Sequence, residues 1–213
     1  MEKNFWLERW QSDQTGFHLG ESNPLLVKHF PTLVLAPAAR VFVPLCGKTL
    51  DIGWLLAQGC RVVGAELSEL AVEQLFAQLA LTPRRVPAGE LMQYQAENII
   101  IFLGDIFALT AAQLGAVDAV YDRAALVALP EAMRRRYAAH LMAITAKAPQ
   151  LIICYDYDQQ QMPGPPFSVN EFELRQLYAQ DYTIEMLESR EIPGGLKGQC
   201  PAQENVWRLR AGR

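Results

Sequence analysis

Short apolar runs alternate with longer segments typical of helices through the middle of the chain, from Val41 to Asp158. The apolar runs predict five buried strands, "RVFVPL", "RVVGAE", "NIIIFLGD", "AVDAVYD" and "LIICYDYD". The segments between them predict helices over "TLDIGWLLAQG", over "ELAVEQLFAQLA" and from Pro130 to about Ala146. Because strand and helix take turns, we expect a parallel sheet with helices on both faces.

Two regions interrupt or end this alternation. Residues 82–96 contain two prolines and a glycine, and they predict a loop. After the fifth strand, "QQQMPGPPFS" predicts another loop, and a helix is expected from Glu171 to Gln180. The last apolar segments, "YTIEMLESRE" and "ENVWRLR", have no helix between them, which favours an antiparallel pair at the sheet edge. The whole pattern predicts an α/β fold with a seven-stranded, mostly parallel sheet and one antiparallel edge strand.

The first forty residues lie outside the predicted sheet. Phe5, Trp6 and Trp10 recur at a spacing that suits one face of a helix, and Asn23-Pro24 can start a second helix, "PLLVKHF". We expect both helices to cap the open end of the sheet; packing on its flank is the alternative. The expected organisation is a single domain, 1–213, with a helical cap over 1–38 and a sheet core over 39–213.

Composition narrows the class of protein. Hydrophobic residues make up 51% of the chain, which is enough for a substantial core. The net charge of −4 argues against a general nucleic-acid binder. The four cysteines form no Cys-x-x-Cys pair and share no metal-ligand spacing with the three histidines, so we expect reduced thiols and no metal. The charged N-terminus and the lack of a long apolar run predict a cytoplasmic chain without membrane association.

Candidate ligand-binding residues follow the predicted strands, because open parallel sheets bind ligands outside the carboxyl ends of their strands. Glu66 ends the second strand, nineteen residues after Gly47, and an acid at that distance can accept hydrogen bonds from both hydroxyls of a ribose. A helix-start acid beside Ser68 is the alternative. Gly104-Asp105, after the third strand, is a candidate contact for an adenine ring or else an ordinary turn.

Three nucleotide-like ligands compete for these positions. Gly47-Lys48-Thr49 resembles the end of a phosphate-binding P-loop, but Phe42 stands where that loop needs its first glycine. A dinucleotide is disfavoured because the chain lacks Gly-x-Gly-x-x-Gly. S-adenosylmethionine needs a ribose acid and an adenine pocket but no pyrophosphate cradle, so the sequence fits this ligand best.

Several motifs together resemble the thiopurine S-methyltransferase family in its bacterial form. They are "FWLERWQSDQTGFH", "VFVPLCGKTLDIGWLLAQGCRVVGAELSELAV", "YDRAALVALP" and "PGPPFSV", and the resemblance runs from Phe5 to about Arg210. The resemblance implies a Rossmann-like class I methyltransferase fold with S-adenosyl-L-methionine as methyl donor. It also implies S-methylation of aromatic and heterocyclic thiols such as 6-mercaptopurine, by a protein that we expect to be a monomer.

The resemblance also assigns site residues. The cofactor contacts that we predict are Trp10, Leu45, Gly47, Glu66, Asp105, Ile106 and Arg123. The predicted substrate contacts are Phe17, Pro165, Phe167 and Arg190, with Trp10 and Phe17 forming an N-terminal lid.

The expected chemistry is an in-line displacement by a thiolate on a sulfonium, which requires no dedicated base. Arg123 and Arg190 are predicted to stabilise the thiolate, since arginine stays protonated and offers several donors. From the residues alone, Arg123 could instead pair with Asp122, and His18 is an alternative base. Two other functions remain alternatives: a sensor that binds the cofactor without catalysing a reaction, and a magnesium-dependent nucleotide hydrolase. A selenium or tellurium compound remains an alternative to the thiol as substrate.

Overall fold

The computed structural model describes residues 3–14 and 20–212. Its helices are α1 (Lys3–Gln11), α2 (Pro24–His29), α3 (Asp51–Ala57), α4 (Glu69–Gln78), α5 (Ala111–Leu114), α6 (Glu131–Ile144) and α7 (Glu171–Tyr178). Its strands are β1 (Arg40–Pro44), β2 (Arg61–Glu66), β3 (Arg84–Ala88), β4 (Leu91–Ala96), β5 (Ile99–Leu103), β6 (Ala119–Arg123), β7 (Gln150–Tyr157), β8 (Tyr182–Glu191) and β9 (Ala202–Ala211).

The strands of the described chain form one sheet in the order β3-β4-β5-β2-β1-β6-β7-β9-β8. The central strands β5, β2, β1, β6 and β7 pair in parallel, which confirms the predicted parallel sheet and its five strands. Ser68 caps α4 as expected, because its side chain accepts a hydrogen bond from the Ala71 amide. The carboxyl ends of all five central strands therefore lie at the same edge of the sheet.

The prediction of a loop over residues 82–96 was wrong, because this segment forms the hairpin β3–β4. Gly89 opens the two-residue turn with a φ of 63°, a conformation that glycine adopts without strain. Pro87 suggested a loop, but β3 is the outermost strand and pairs only with β4, and edge strands tolerate proline. The hairpin extends the sheet to nine strands instead of the predicted seven.

The last two strands are antiparallel as predicted, but the position of the antiparallel strand was wrong. β9 pairs with both β7 and β8, so the antiparallel strand lies inside the sheet and β8 forms the edge. Hydrophobic burial explains this order, since Val206, Trp207 and Leu209 of β9 are fully buried, whereas most of β8 is partly or fully exposed.

The two N-terminal helices take different positions. Leu25 and Leu26 of α2 are buried in the apolar cluster that also contains Ile52 and Leu55 of α3. The helix α2 therefore packs on the flank of the sheet, which was the alternative to a cap. In α1, Trp10 is the buried residue. None of the described helices has the length and apolar character that crossing a membrane requires.

Gly64 lies in the middle of β2, where a larger residue would collide with the loop after β1. A Cβ atom there would stand 2.6 Å from Ile101 Cδ1 and 2.9 Å from Cys46 Sγ. We expect Gly64→Ala to lower the free energy of unfolding by about 1–3 kcal/mol, measured by urea denaturation.

The matched control for this prediction is Gly53→Ala. A Cβ at Gly53 would lie 3.4 Å from Leu79 Cδ2, an ordinary contact, and alanine suits the helix α3 better than glycine. Equal stability losses in the two variants would contradict the prediction.

Candidate active site

A cavity of about 980 Å³ opens at the carboxyl ends of β1, β2, β5, β6 and β7. This volume is at the upper end of the range of small-molecule sites. The predicted site residues that line it are Trp10, Leu45, Gly47, Glu66, Asp105, Ile106, Arg123 and Pro165. The structure thus brings together residues from α1, from four strand ends and from the loop after β7.

Glu66 forms the base of the cavity and is 6% exposed. Its Oε2 accepts a hydrogen bond from the Gly47 amide at 2.7 Å, and its Oε1 accepts from the Leu67 and Ser68 amides, each at 2.8 Å. Burial raises the pKa of Glu66, although the three amide hydrogen bonds oppose this shift. The carboxylate therefore joins the loop after β1 to the start of α4, so the contacts of the alternative, a helix-start acid beside Ser68, are present in the structure.

The bend from Leu45 to Gly47 has an unusual backbone. Leu45 and Gly47 have φ values of 46° and 52°, and the Cys46 amide donates to the Ala65 carbonyl at 3.0 Å. Burial and the nearby Glu66 raise the pKa of the Cys46 thiol well above its ordinary value, so this cysteine stays protonated. The bend lines the cavity at Leu45 and Gly47, two of the predicted cofactor contacts.

Lys48 turns away from the cavity. Its Nζ donates to Gln74 Oε1 at 2.8 Å and lies 5.8 Å from the centre of the Trp10 ring. Within the described chain, Lys48 is not part of the cavity lining. A P-loop lysine must reach bound phosphate, so this geometry disfavours nucleotide hydrolysis.

Asp105 and Ile106 follow β5 on the opposite side of Glu66 from β1. Asp105 Oδ1 accepts from the Phe107 amide at 3.0 Å, and Oδ2 lies 2.9 Å from Lys3 Nζ of α1. Burial opposes ionisation, but the hydrogen bonds from Lys3 and Phe107 outweigh it, so the pKa of Asp105 lies below its ordinary value. Asp105 is therefore an ionised acceptor that also ties α1 to the sheet.

Asp122 and Arg123 point to opposite faces of the sheet, as consecutive strand residues must. The Asp122 carboxylate is fully buried and accepts from the Tyr137 hydroxyl at 2.7 Å and from the Leu126 amide at 3.0 Å. Arg123 lines the cavity together with Tyr155, whose pKa is raised by burial and lowered in part by the nearby Arg123 charge. This arrangement disfavours the alternative in which Arg123 only neutralises Asp122.

Asp122 makes stability depend on pH. Burial raises its pKa to about 6, partly offset by hydrogen bonds from Tyr137 and two backbone amides. The folded state keeps a proton that the unfolded state releases above pH ~4, so stability falls as pH rises from about 4 to about 6. We expect the free energy of unfolding to fall by about 3 kcal/mol over this pH range because of Asp122. The measurement is urea denaturation of the wild type and of Asp122→Asn at several pH values, and the difference between their pH profiles gives the contribution. Parallel pH profiles for the two proteins would contradict it.

Two predicted residues, Arg190 and Phe167, are not part of the described cavity wall, and the structure does not describe a third. Arg190 donates from Nε and Nη2 to Glu204 Oε2, at 3.0 and 2.6 Å, and the described part of the cavity wall does not include it. Phe167 is also absent from that wall; its amide donates to the Val127 carbonyl at 2.6 Å, and its ring lies 5.8 Å from the Arg134 guanidinium carbon. Phe17, like His18, lies outside the described residues.

Several cavity residues were missed from the sequence. Tyr155 lies on a strand that was predicted only as a buried apolar run, and Arg9 and Lys197 were assigned no role from the sequence. The one available signal was the place of Tyr155 at the carboxyl end of a central strand. Arg9 and Lys197 carry no such signal, because they come from α1 and from the connection between β8 and β9.

Comparisons with known proteins agree with this geometry. The family described as "Thiopurine S-methyltransferase (TPMT)" matches residues 1–210. A thiopurine S-methyltransferase of Xanthobacter autotrophicus is 58% identical over 210 residues, covering 98% of this chain and 99% of the relative. One of Gluconobacter oxydans is 52% identical over 205 residues, with coverages of 96% and 93%.

Solved structures show a similar fold at low sequence identity. The Burkholderia thailandensis 1,6-didemethyltoxoflavin-N1-methyltransferase, solved with S-adenosylhomocysteine, is 17% identical, with a TM-score of 0.66 and coverages of 97% of this chain and 86% of that one. The Synechocystis magnesium protoporphyrin IX methyltransferase is 14% identical, with a TM-score of 0.64 and coverages of 98% and 100%.

Proposed function

The chain belongs to the thiopurine S-methyltransferase family and has the class I methyltransferase fold, and from this premise we propose that it methylates the sulfur of aromatic and heterocyclic thiols. S-adenosyl-L-methionine supplies the methyl group, and 6-mercaptopurine represents the substrate class. The single observation that carries the proposal is Glu66, which holds the Leu45–Gly47 bend at the base of a cavity that also exposes Asp105 and Arg123.

The cofactor fits along the strand ends. A carboxylate has about four acceptor positions, so Glu66 can keep its three amide donors and still accept from a ribose hydroxyl. Asp105 is placed to accept from the exocyclic amine of adenine, with the buried Ile106 as an apolar neighbour. The amino-acid end of the cofactor would pass the bend at Gly47, and Trp10 of α1 would cover it.

The reaction needs alignment and charge stabilisation from the protein. The thiolate sulfur forms a bond to the methyl carbon, and the electron pair of the breaking bond moves to the sulfonium sulfur, which leaves as the thioether of S-adenosylhomocysteine. We assign stabilisation of the thiolate to Arg123, which lines the cavity beside Tyr155. Arg190 is not given this role, because its guanidinium is bound to Glu204 and the described part of the cavity wall does not include it. The wall at Pro165 and Val127 would hold the aromatic ring.

A thiol panel with a methyl-transfer readout tests this proposal. Calorimetry first measures the binding of S-adenosylmethionine and S-adenosylhomocysteine, and turnover is then followed with thiophenol, 6-mercaptopurine and selenite in competition. Cofactor binding with turnover of the two thiols is the expected result. Binding without turnover of any acceptor would indicate a cofactor sensor, and turnover of selenite alone would overturn the assigned substrate class.

A further inference from the structure

The cavity is lined by more positive than negative side chains, although the whole chain is acidic. Its cationic lining residues are Lys3, Arg9, Arg123, Arg136 and Lys197, and its acidic ones are Glu66 and Asp105. Glu66 is bonded to three backbone amides, and Asp105 is paired with Lys3. Neither acid therefore neutralises the cations on the other side of the cavity.

Two of these cations, Arg9 and Lys197, line the same cavity as Pro165 of the substrate wall. Lys197 Nζ donates to the carbonyl of Pro165 at 2.8 Å, which places the ammonium group at that wall. The Arg9 guanidinium carbon lies 4.7 Å from the centre of the Phe5 ring, and its Nε is buried without a hydrogen-bond partner in the part of the chain that the structure describes. Both side chains thus have donors left to offer a ligand.

Arg9 and Lys197 line the same cavity and carry the same charge. Burial lowers the pKa of Lys197, and the charge of Arg9 lowers it further. No salt bridge joins either residue to a carboxylate across residues 3–14 and 20–212, and the adjoining segment 15–19 contains no acidic residue. Two like charges held together in a partly desolvated cavity are stabilised by an anion placed between them.

We propose that Arg9 and Lys197 form an anion subsite at the substrate wall, which binds the carboxylate of an aromatic thiol. This inference rests on the proposed function, which supplies the thiol. The cofactor also carries a carboxylate, but its proposed path runs from Asp105 over Glu66 to the bend at Gly47. Pro165 belongs to the loop after β7, which contributes no residue to that proposed path, so we assign the anion to the substrate.

The test compares an acidic thiol with its neutral counterpart. The values of kcat/KM are measured for 3-mercaptobenzoate and 3-mercaptobenzamide with the wild type, Arg9→Met and Lys197→Met. Arg84→Met, a change on the exposed hairpin, is the matched control. Since a hydrogen bond to a charged group is lost, we expect each cavity variant to lower kcat/KM about tenfold or more for the acid and less than about twofold for the amide.

Two binding measurements complete the test. The affinity for S-adenosylhomocysteine should be unchanged in both cavity variants, whereas a tenfold loss would assign the anion to the cofactor and overturn the proposal. Calorimetric titration of benzoate and of benzamide into the complex of the protein with S-adenosylhomocysteine measures binding at the subsite without methyl transfer. Both cavity variants should lower the affinity for benzoate and leave the affinity for benzamide unchanged. Equal losses for acid and amide would also overturn the subsite. Benzoate binding without methylation of any thiol would contradict the proposed function and leave the subsite standing.

Discussion

Replacing Glu66 with alanine is expected to weaken the binding of S-adenosylmethionine by a factor of about 100 or more. The substitution removes the acceptor proposed for the ribose hydroxyls. It also leaves the amides of Gly47, Leu67 and Ser68 without their partner, so the loop after β1 loses its tie to α4. The measurement is calorimetric titration of S-adenosylhomocysteine, with circular dichroism to show that the variant is folded.

Two further variants sharpen this result. Glu66→Gln keeps the shape of the side chain but turns an amino group toward the Gly47 amide, so we expect it to lose most of the affinity as well. Glu97→Ala, in an exposed turn, serves as the control and should bind normally. Unchanged affinity in a folded Glu66→Ala protein would contradict the role assigned to this carboxylate.

Replacing Arg123 with methionine is expected to lower the rate of methyl transfer about 100-fold, with a much smaller change in cofactor affinity. The role that we propose for the guanidinium is to stabilise negative charge on the attacking sulfur, which is worth more in a cavity of lower effective dielectric constant than in water. The measurement is single-turnover transfer at saturating cofactor, together with calorimetry. Arg123→Lys keeps the charge without the planar donor geometry and should recover part of the rate.

The dependence on thiol acidity separates charge stabilisation from a structural role. An acidic thiol is already ionised, so the loss in Arg123→Met should shrink as the pKa of the substrate thiol falls across a series of substituted thiophenols. Tyr155→Phe should show a weaker form of the same trend, because Tyr155 lies beside the arginine in the cavity. A loss that is the same for every thiol, or one matched by an equal loss of cofactor affinity, would contradict the assignment.

The central sheet could be predicted because its strands are continuous apolar runs, as burial on both faces requires. The proximity of Gly47 and Glu66 could also be predicted from the sequence, since the carboxyl ends of neighbouring parallel strands lie side by side. The hairpin β3–β4 was missed because Pro87 is a loop signal in the interior of a sheet but not at its edge.

The environment of Arg190 illustrates what the sequence does not contain. Arg190 faces Glu204 because of the register between β8 and β9, and that register shifts at a bulge between Met186 and Glu188. A shift of one residue moves each side chain to the other face of the strand, and no local pattern marks the bulge. The meeting of Arg9 and Lys197 is equally nonlocal, since it depends on where α1 and a glycine-rich connection lie relative to the sheet.

The most direct test of the central claim is the identity of the methylated atom. The wild-type protein is incubated with 6-mercaptopurine and S-adenosylmethionine that carries a carbon-13 methyl group, and the product is examined by NMR. The account predicts a single labelled S-methyl signal and one equivalent of S-adenosylhomocysteine. A labelled N-methyl signal, or no labelled product from a protein that binds the cofactor, would contradict it.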